Sequence, residues 1–112
     1  MSFVRVAAVS IPVHPGNVEA NEREILCAME RLEKQGVQLA VFPRLCLTGS
    51  QLGDLFWREG YANAAWQALE RIAARSGQMA AVISLPRMER GRLVCAAAVV
   101  QNGSIRALVS RR

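Results

Sequence analysis

The chain has 112 residues, 52% hydrophobic and 21% charged, a composition that suits one packed domain rather than two and excludes a disordered chain. Its formal charge of +5 is wholly contained in the last 26 residues, where six arginines stand against Glu89 alone; the first 86 carry eight basic and eight acidic groups. Cys27, Cys46 and Cys95 are odd in number and show no CxxC spacing, which suggests neither a disulfide framework nor a zinc site, and no apolar run is long enough to span a bilayer.

Residues 3–11, FVRVAAVSI, are β-branched at alternate positions and apolar on both faces, which predicts an interior strand buried inside a layered sheet. The single Arg5 ahead of a short apolar run ending at Pro12, with no small-residue cleavage pattern, is not a signal peptide. After the loop PVHPGN, Asn17 is placed to cap a helix with Glu19 and Glu22 in its first turn. Ile25, Met29 and Leu32, widened by Ala28, form its apolar stripe, and Gly36 is placed to end it in a left-handed cap.

Residues 37–42, VQLAVF, predict a second buried strand that runs into the loop PRLCLTGSQLGDLF. A second helix follows over residues 61–77, with Trp66, Leu69, Ile72 and Ala73 inward, Arg71 and Arg75 toward solvent, and Gly77 closing it. MAAVISL is a third strand, RLVCAAAVVQ a fourth, and Asn102-Gly103 turns tightly into SIRALVS to make a hairpin. The order β-α-β-α-β plus a β-hairpin defines an α/β chain, with its chemistry expected in the loops after the strand ends, above all the one after Phe42. The arginines near the end interleave with LVCAAAVV, without a Lys-rich arm or paired aromatics, so strand-flanking arginines are favoured over a nucleic-acid contact, which is not expected.

Taken together, RVAAVSIPV, Asn21, GVQLAVFP, LTG followed by DLF, and RLVCAAAVVQNGSIRALV resemble the nitrilase (carbon–nitrogen hydrolase) superfamily, in order and across essentially all 112 residues. The LTG and DLF pair narrows the resemblance to the N-terminal glutaminase domain of glutamine-dependent NAD synthetase. The resemblance implies a nitrilase-like α-β-β-α sandwich, of which residues 1–112 would be the N-terminal portion, a partial carbon–nitrogen hydrolase domain. It also implies a Glu–Lys–Cys triad: a thiolate attacks the glutamine amide, the glutamate is general base, and the lysine stabilises the oxyanion.

Several of those positions are altered. Where the resemblance places the glutamate, in Phe42-Pro43-Arg44-Leu45, the chain has Arg44, which stays protonated and offers no acceptor. The tyrosine after LTG is Ser50, and the asparagine of the fourth strand corresponds to Cys95. Arg111 stands at the lysine position, and the nucleophilic cysteine is expected beyond Arg112, as is a synthetase domain with its ATP and Mg; no cofactor or metal is expected within the 112 residues themselves. The implied family role is glutamine hydrolysis supplying ammonia for NAD biosynthesis, and this chain is expected to be a truncated, inactive relative in a reducing cytoplasm.

Cys46 lies two residues from Arg44, whose charge would lower a thiol pKa, but no base stands near it in sequence, so it is expected to be buried and inert. Cys27 and Cys95 are read in the same way, as small core residues. His14, flanked by Pro12 and Pro15, is expected to be a solvated turn residue with no functional group beside it. Asp54 is assigned a loop-holding role, and Trp57 and Trp66 are apolar anchors. With half of a sandwich lacking, apolar surface and an open strand edge are expected, which allows a non-catalytic role in which the chain pairs with itself or with a nitrilase-like subunit.

Overall fold

The computed structural model describes residues 4–14, 16–43 and 59–111. Its elements are β1 (Val6–Ala8), α1 (Val18–Lys34), β2 (Leu39–Val41), α2 (Glu59–Ala74), β3 (Ala80–Glu89), β4 (Arg92–Gln101) and β5 (Ser104–Arg111). One sheet runs in the order β1-β2-β3-β4-β5; β1, β2 and β3 are mutually parallel, and β4 and β5 are added by antiparallel hairpins. The first three strands step across the sheet in one direction. Crossovers of a single hand in one direction put both helices on the same face, and α1 and α2 pack together.

The register separates the two faces. The row Ala7–Ala40–Ala81–Val100–Ile105 crosses all five strands on the helix side, continued by Ile83–Ala98–Leu108. Ala40, Ala81, Ile83, Ala98 and Val100 are each 0% exposed there, beneath Ile25 of α1 and Leu69 and Ile72 of α2, which are equally buried. The alanines let the helices approach the sheet closely, so the core is thin and made of few large side chains. The alternate row, Ala8–Val41–Val82–Val99–Ala107, lies on the opposite face. Val41, Val6 and Val109 on that face are 40%, 61% and 65% exposed.

The expectation that the first strand is interior is therefore corrected: β1 is a short edge strand, with Val4 preceding it also exposed. Its second apolar face is real but uncovered among the described residues. Cys27 is corrected as well. It is exposed, because two residues from Ile25 is more than half a turn round the helix and off the buried stripe of Ile25, Ala28, Met29 and Leu32. Cys95 is only partly buried, since it alternates with buried Ala96 and so belongs to the open face.

Helix α1 begins and ends as its sequence dictates. The Asn17 side chain accepts a hydrogen bond from Ala20 N at 3.0 Å. At the other end Gly36 has φ +80°, and Val37 N donates to Leu32 O while Gly36 N donates to Glu33 O, the paired bonds of a Schellman motif. Arg5 adds a side-chain donor to Gln35 O at 2.7 Å, tying β1 to the helix end.

Gly77 does not close α2. The helix ends at Ala74, and Gly77 is not among the positive-φ glycines. Its three nearest non-local atoms all belong to Glu33, whose Oε2 would lie 2.9 Å from an added Cβ; the residue is small so that Glu33 can reach past it and accept from Met79 N at 3.1 Å. Arg71 does not simply face solvent either. Its Nε and a terminal guanidinium nitrogen donate to Glu22 of α1 at 2.7–3.1 Å, pinning the two helices together.

The third strand runs farther than its apolar stretch, through Pro86 to Glu89. Ala80 N donates to Gln38 O and Val82 O accepts from Phe42 N, so even-numbered residues of β3 direct their backbone groups toward β2. Pro86 keeps that parity beyond the end of β2, and its missing N–H removes nothing from the β3–β4 ladder. Arg90 and Gly91, and then Asn102 and Gly103, have positive φ in pairs, the signature of two-residue type I′ turns.

Candidate functional site

Arg44, Cys46, Ser50, Asp54 and Trp57 lie outside the described residues, as does Arg112. What the structure does place is the frame around them. Because β5 runs parallel to β1, β2 and β3, the carboxyl ends of four strands lie at one end of the sheet. Pro43, the residue before Arg44, leaves at that end, and Arg111 is the last residue of β5 there, in register with Cys95. Pro43 and Arg111 thus share an end of the sheet. They are separated by three strand spacings, about 14 Å across it.

The loop after β1 reaches the same end and is held firmly. Asn21, fully buried in the first turns of α1, accepts from His14 N at 2.7 Å and donates to His14 O at 3.0 Å, so one side chain reads both backbone groups of the residue seven positions earlier. His14 itself has a partner: its Nε2 lies 3.0 Å from Glu24 Oε2, one turn along the helix from Asn21. The expectation of a histidine with nothing beside it is corrected. Asn21 and Glu24 stand three apart and face the loop together, a spacing present in the sequence but legible only once the loop is known to fold back over α1.

A second group forms at the far end of β3. The Arg87 guanidinium sits 4.9 Å from the Trp66 ring centroid and 3.6 Å from Glu89 Oε2, and the Ser110 hydroxyl donates to the same carboxylate. Trp66 is half-buried at the rim of the core. Glu89 is the one acid in the arginine-rich stretch, and sequence reasoning passed over it. It lies seven residues beyond Val82, the partner of Val41, whereas Pro43 is two beyond Val41; the difference of five residues is about 16 Å along the sheet. Glu89 therefore stands well away from Pro43, the last described residue before the loop. It neutralises Arg87 and anchors β5.

Among the described residues neither Cys27 nor Cys95 is hydrogen-bonded to a histidine or carboxylate, and no three His, Cys, Asp or Glu side chains are grouped to hold a metal ion. No described helix is long and apolar enough to cross a membrane. The Arg71 pKa is raised by its hydrogen bond to Glu22, opposed by some desolvation and reinforced by the charges of Glu22 and Glu19. A cleft of roughly 190 Å³ between α1 and the start of β3, lined by Met29, Glu33, Arg75 and Met79, lies at the opposite end of the sheet.

No family model matches the chain. Among characterised proteins it is 28% identical over 111 residues to the glutamine-dependent NAD(+) synthetase of Xylella fastidiosa, 29% to that of Mycobacterium tuberculosis and 31% to that of Xanthomonas campestris. Those matches span 97–98% of this chain and 16–20% of the relatives. Among solved structures, the glutamine-dependent NAD(+) synthetase of Cytophaga hutchinsonii superimposes with a TM-score of 0.94 at 26% identity, over 99% of this chain and 19% of that one. A nitrilase-superfamily amidase from Nesterenkonia superimposes with a TM-score of 0.80 at 25% identity, over 96% of this chain and 43% of that one. By sequence and by fold, the chain is a homologue of part of the glutamine-dependent NAD(+) synthetases, their N-terminal nitrilase-like domain, and of the amidases of the nitrilase superfamily.

Proposed function

We propose that this chain is a non-hydrolysing relative of the glutaminase-type domain of the glutamine-dependent NAD(+) synthetases. The observation that carries the reading is Arg44, the residue after Pro43 at the carboxyl end of β2, where the family resemblance puts a general base. A guanidinium cannot take a proton from a thiol, and loss of a positioned base alone removes about 10²–10⁴ in rate. The described thiols, Cys27 and Cys95, give no alternative nucleophile with a base beside it. Ammonia supply for NAD synthesis, and the ATP and Mg that go with it, belong in this reading to chains that carry an acid at this position and a synthetase domain. A reducing, cytoplasmic setting is part of the same reading, supported by the free thiols Cys27 and Cys95.

The test is ammonia release from glutamine and from simple amides by the purified 112-residue chain. No release above the uncatalysed rate is expected, in the parent and in Cys46→Ala alike. Turnover that disappears in Cys46→Ala would overturn the reading.

A second reading, an interaction module without catalysis, is favoured by one separate observation: the face of the sheet opposite the helices leaves Val6, Val41 and Val109 exposed.

A further inference from the structure

We infer that the cleft between α1 and the start of β3 binds a small zwitterionic amino acid with an apolar side chain. The inference does not depend on whether the chain hydrolyses glutamine, because the cleft lies at the end of the sheet away from Pro43. Its walls are Leu26, Met29, Glu30 and Glu33 of α1, Arg75 just after α2, and Met79 just ahead of β3.

The charges of the cleft carry the argument. Glu30 has a partner in Lys34, whose Nζ lies 3.5 Å away. Glu33 and Arg75 line the same cleft, yet they are not paired with each other, and Arg75 has no ion pair among the described residues. Glu33 is nonetheless held in place: its Oε1 accepts from Met79 N at 3.1 Å, and Oε2 takes no hydrogen bond among the described residues. Gly77 leaves that carboxylate its room, since an added Cβ would meet it. An acid and a base therefore share one cleft without neutralising each other. A simple anion would be opposed by Glu33, and a simple cation by Arg75. A ligand with an ammonium and a carboxylate on one carbon offers each its opposite, ammonium to Glu33 and carboxylate to the planar guanidinium of Arg75.

Size and polarity narrow the class. The cleft of roughly 190 Å³ is smaller than the about 300–1,000 Å³ that hold drug-sized ligands, and larger than the share of a single water, about 30 Å³. That suits a free amino acid. Its side chain would meet the buried Met29 and Met79 and the half-buried Leu26, and flexible thioethers adapt their shape to an aliphatic group. Leucine or methionine is thereby preferred to a polar amino acid. Glu33 and Arg75 are both exposed, so solvent screening keeps the binding weak and sensitive to salt.

Titration of the isotope-labelled 112-residue chain with L-leucine at low salt, followed through backbone amide shifts, tests the inference. Saturable shifts are expected at Gly77, Met79 and the last turn of α1, with a Kd of about 1 mM. Isopentylamine, which lacks the carboxylate, and 4-methylpentanoate, which lacks the ammonium, should each bind there at least tenfold more weakly, as should L-glutamine. Arg75→Gln and Glu33→Gln should each weaken L-leucine binding at least tenfold with an unchanged far-UV circular dichroism spectrum, because a glutamine at position 33 still accepts from Met79 N. Arg106→Gln, exposed on β5 and outside the cleft, should leave the affinity as it is. The comparison of the two analogues uses the parent chain alone and decides the matter should a variant fail to fold. No saturable shift below about 20 mM, shifts scattered over the surface, an analogue that binds as well as L-leucine, or an affinity untouched by Arg75→Gln would each overturn the inference.

Discussion

Replacing Gly77 by alanine isolates a steric relationship that only the fold reveals. The backbone at Gly77 is open to any residue, so alanine should stabilise by about 0.4–1 kcal/mol through the unfolded chain if nothing were in the way. Glu33 is in the way. An added Cβ would sit 2.9 Å from its Oε2 and nearer still to Oε1, the atom that accepts from Met79 N. Displacing the carboxylate forfeits a hydrogen bond to a charged acceptor, about 1.5–3 kcal/mol for a desolvated pair and nearer the low end here because Glu33 is exposed. Gly77→Ala should therefore destabilise by roughly 0.5–1 kcal/mol in the parent and become neutral or stabilising in a Glu33→Ala background, a coupling of about 1.5 kcal/mol. Urea unfolding at a fixed protein concentration measures all four corners of the cycle. If Gly77→Ala is equally destabilising in both backgrounds, the glycine is required for its backbone and the reasoning fails.

Asn21→Ala should destabilise by about 1–3 kcal/mol, because it strips both backbone partners from His14 inside a site with no exposure; thermal unfolding reads this, and loss of loop order should appear as faster amide exchange at His14. Leu69→Ala, at a 0% exposed position between the helices and sheet of a thin core, should cost about 2–5 kcal/mol in urea unfolding. Arg71→Ala should lower stability at low salt and lose most of that effect in 1 M NaCl, because the Glu22 pair is half in solvent. The Arg71 pKa is raised, so its contribution is present below its unfolded value and is lost only as pH rises past the folded one. The difference between parent and Arg71→Ala should accordingly not vary between about pH 7 and 9 on account of the guanidinium.

Where local chemistry decided the outcome, the sequence carried it: the Asn17 cap, the left-handed Gly36, the Asn102-Gly103 turn and the order of elements are all as read from residue types. What failed was knowledge of what lies opposite. The alternation in residues 3–11 correctly marked two apolar faces, but apolarity of a face does not say that anything covers it, and β1 is an edge strand with one face open. Cys27 is apolar and sits in an amphipathic helix, but its angular offset from Ile25 places it outside the buried stripe. His14 and Arg71 depart from expectation because their partners, Glu24 and Glu22, lie 10 and 49 residues away, one met by a loop folding back over α1 and the other by the packing of the two helices. At the candidate site, the distance of about 14 Å across the sheet between the ends of β2 and β5 was not legible, because it depends on the strand order.

The turn between β4 and β5 has a dynamic consequence. Asn102 N donates to Gly77 O at 2.8 Å, and Gly103 N donates to Ser76 O at 3.1 Å and to the Ser76 hydroxyl at 3.0 Å. The tip of an isolated hairpin frays first and exchanges its amides fastest, but this tip is bolted to the segment that joins the second helix to the third strand. Its amides can open only when that junction opens, so the most peripheral residues of the sheet report on the unfolding of its middle.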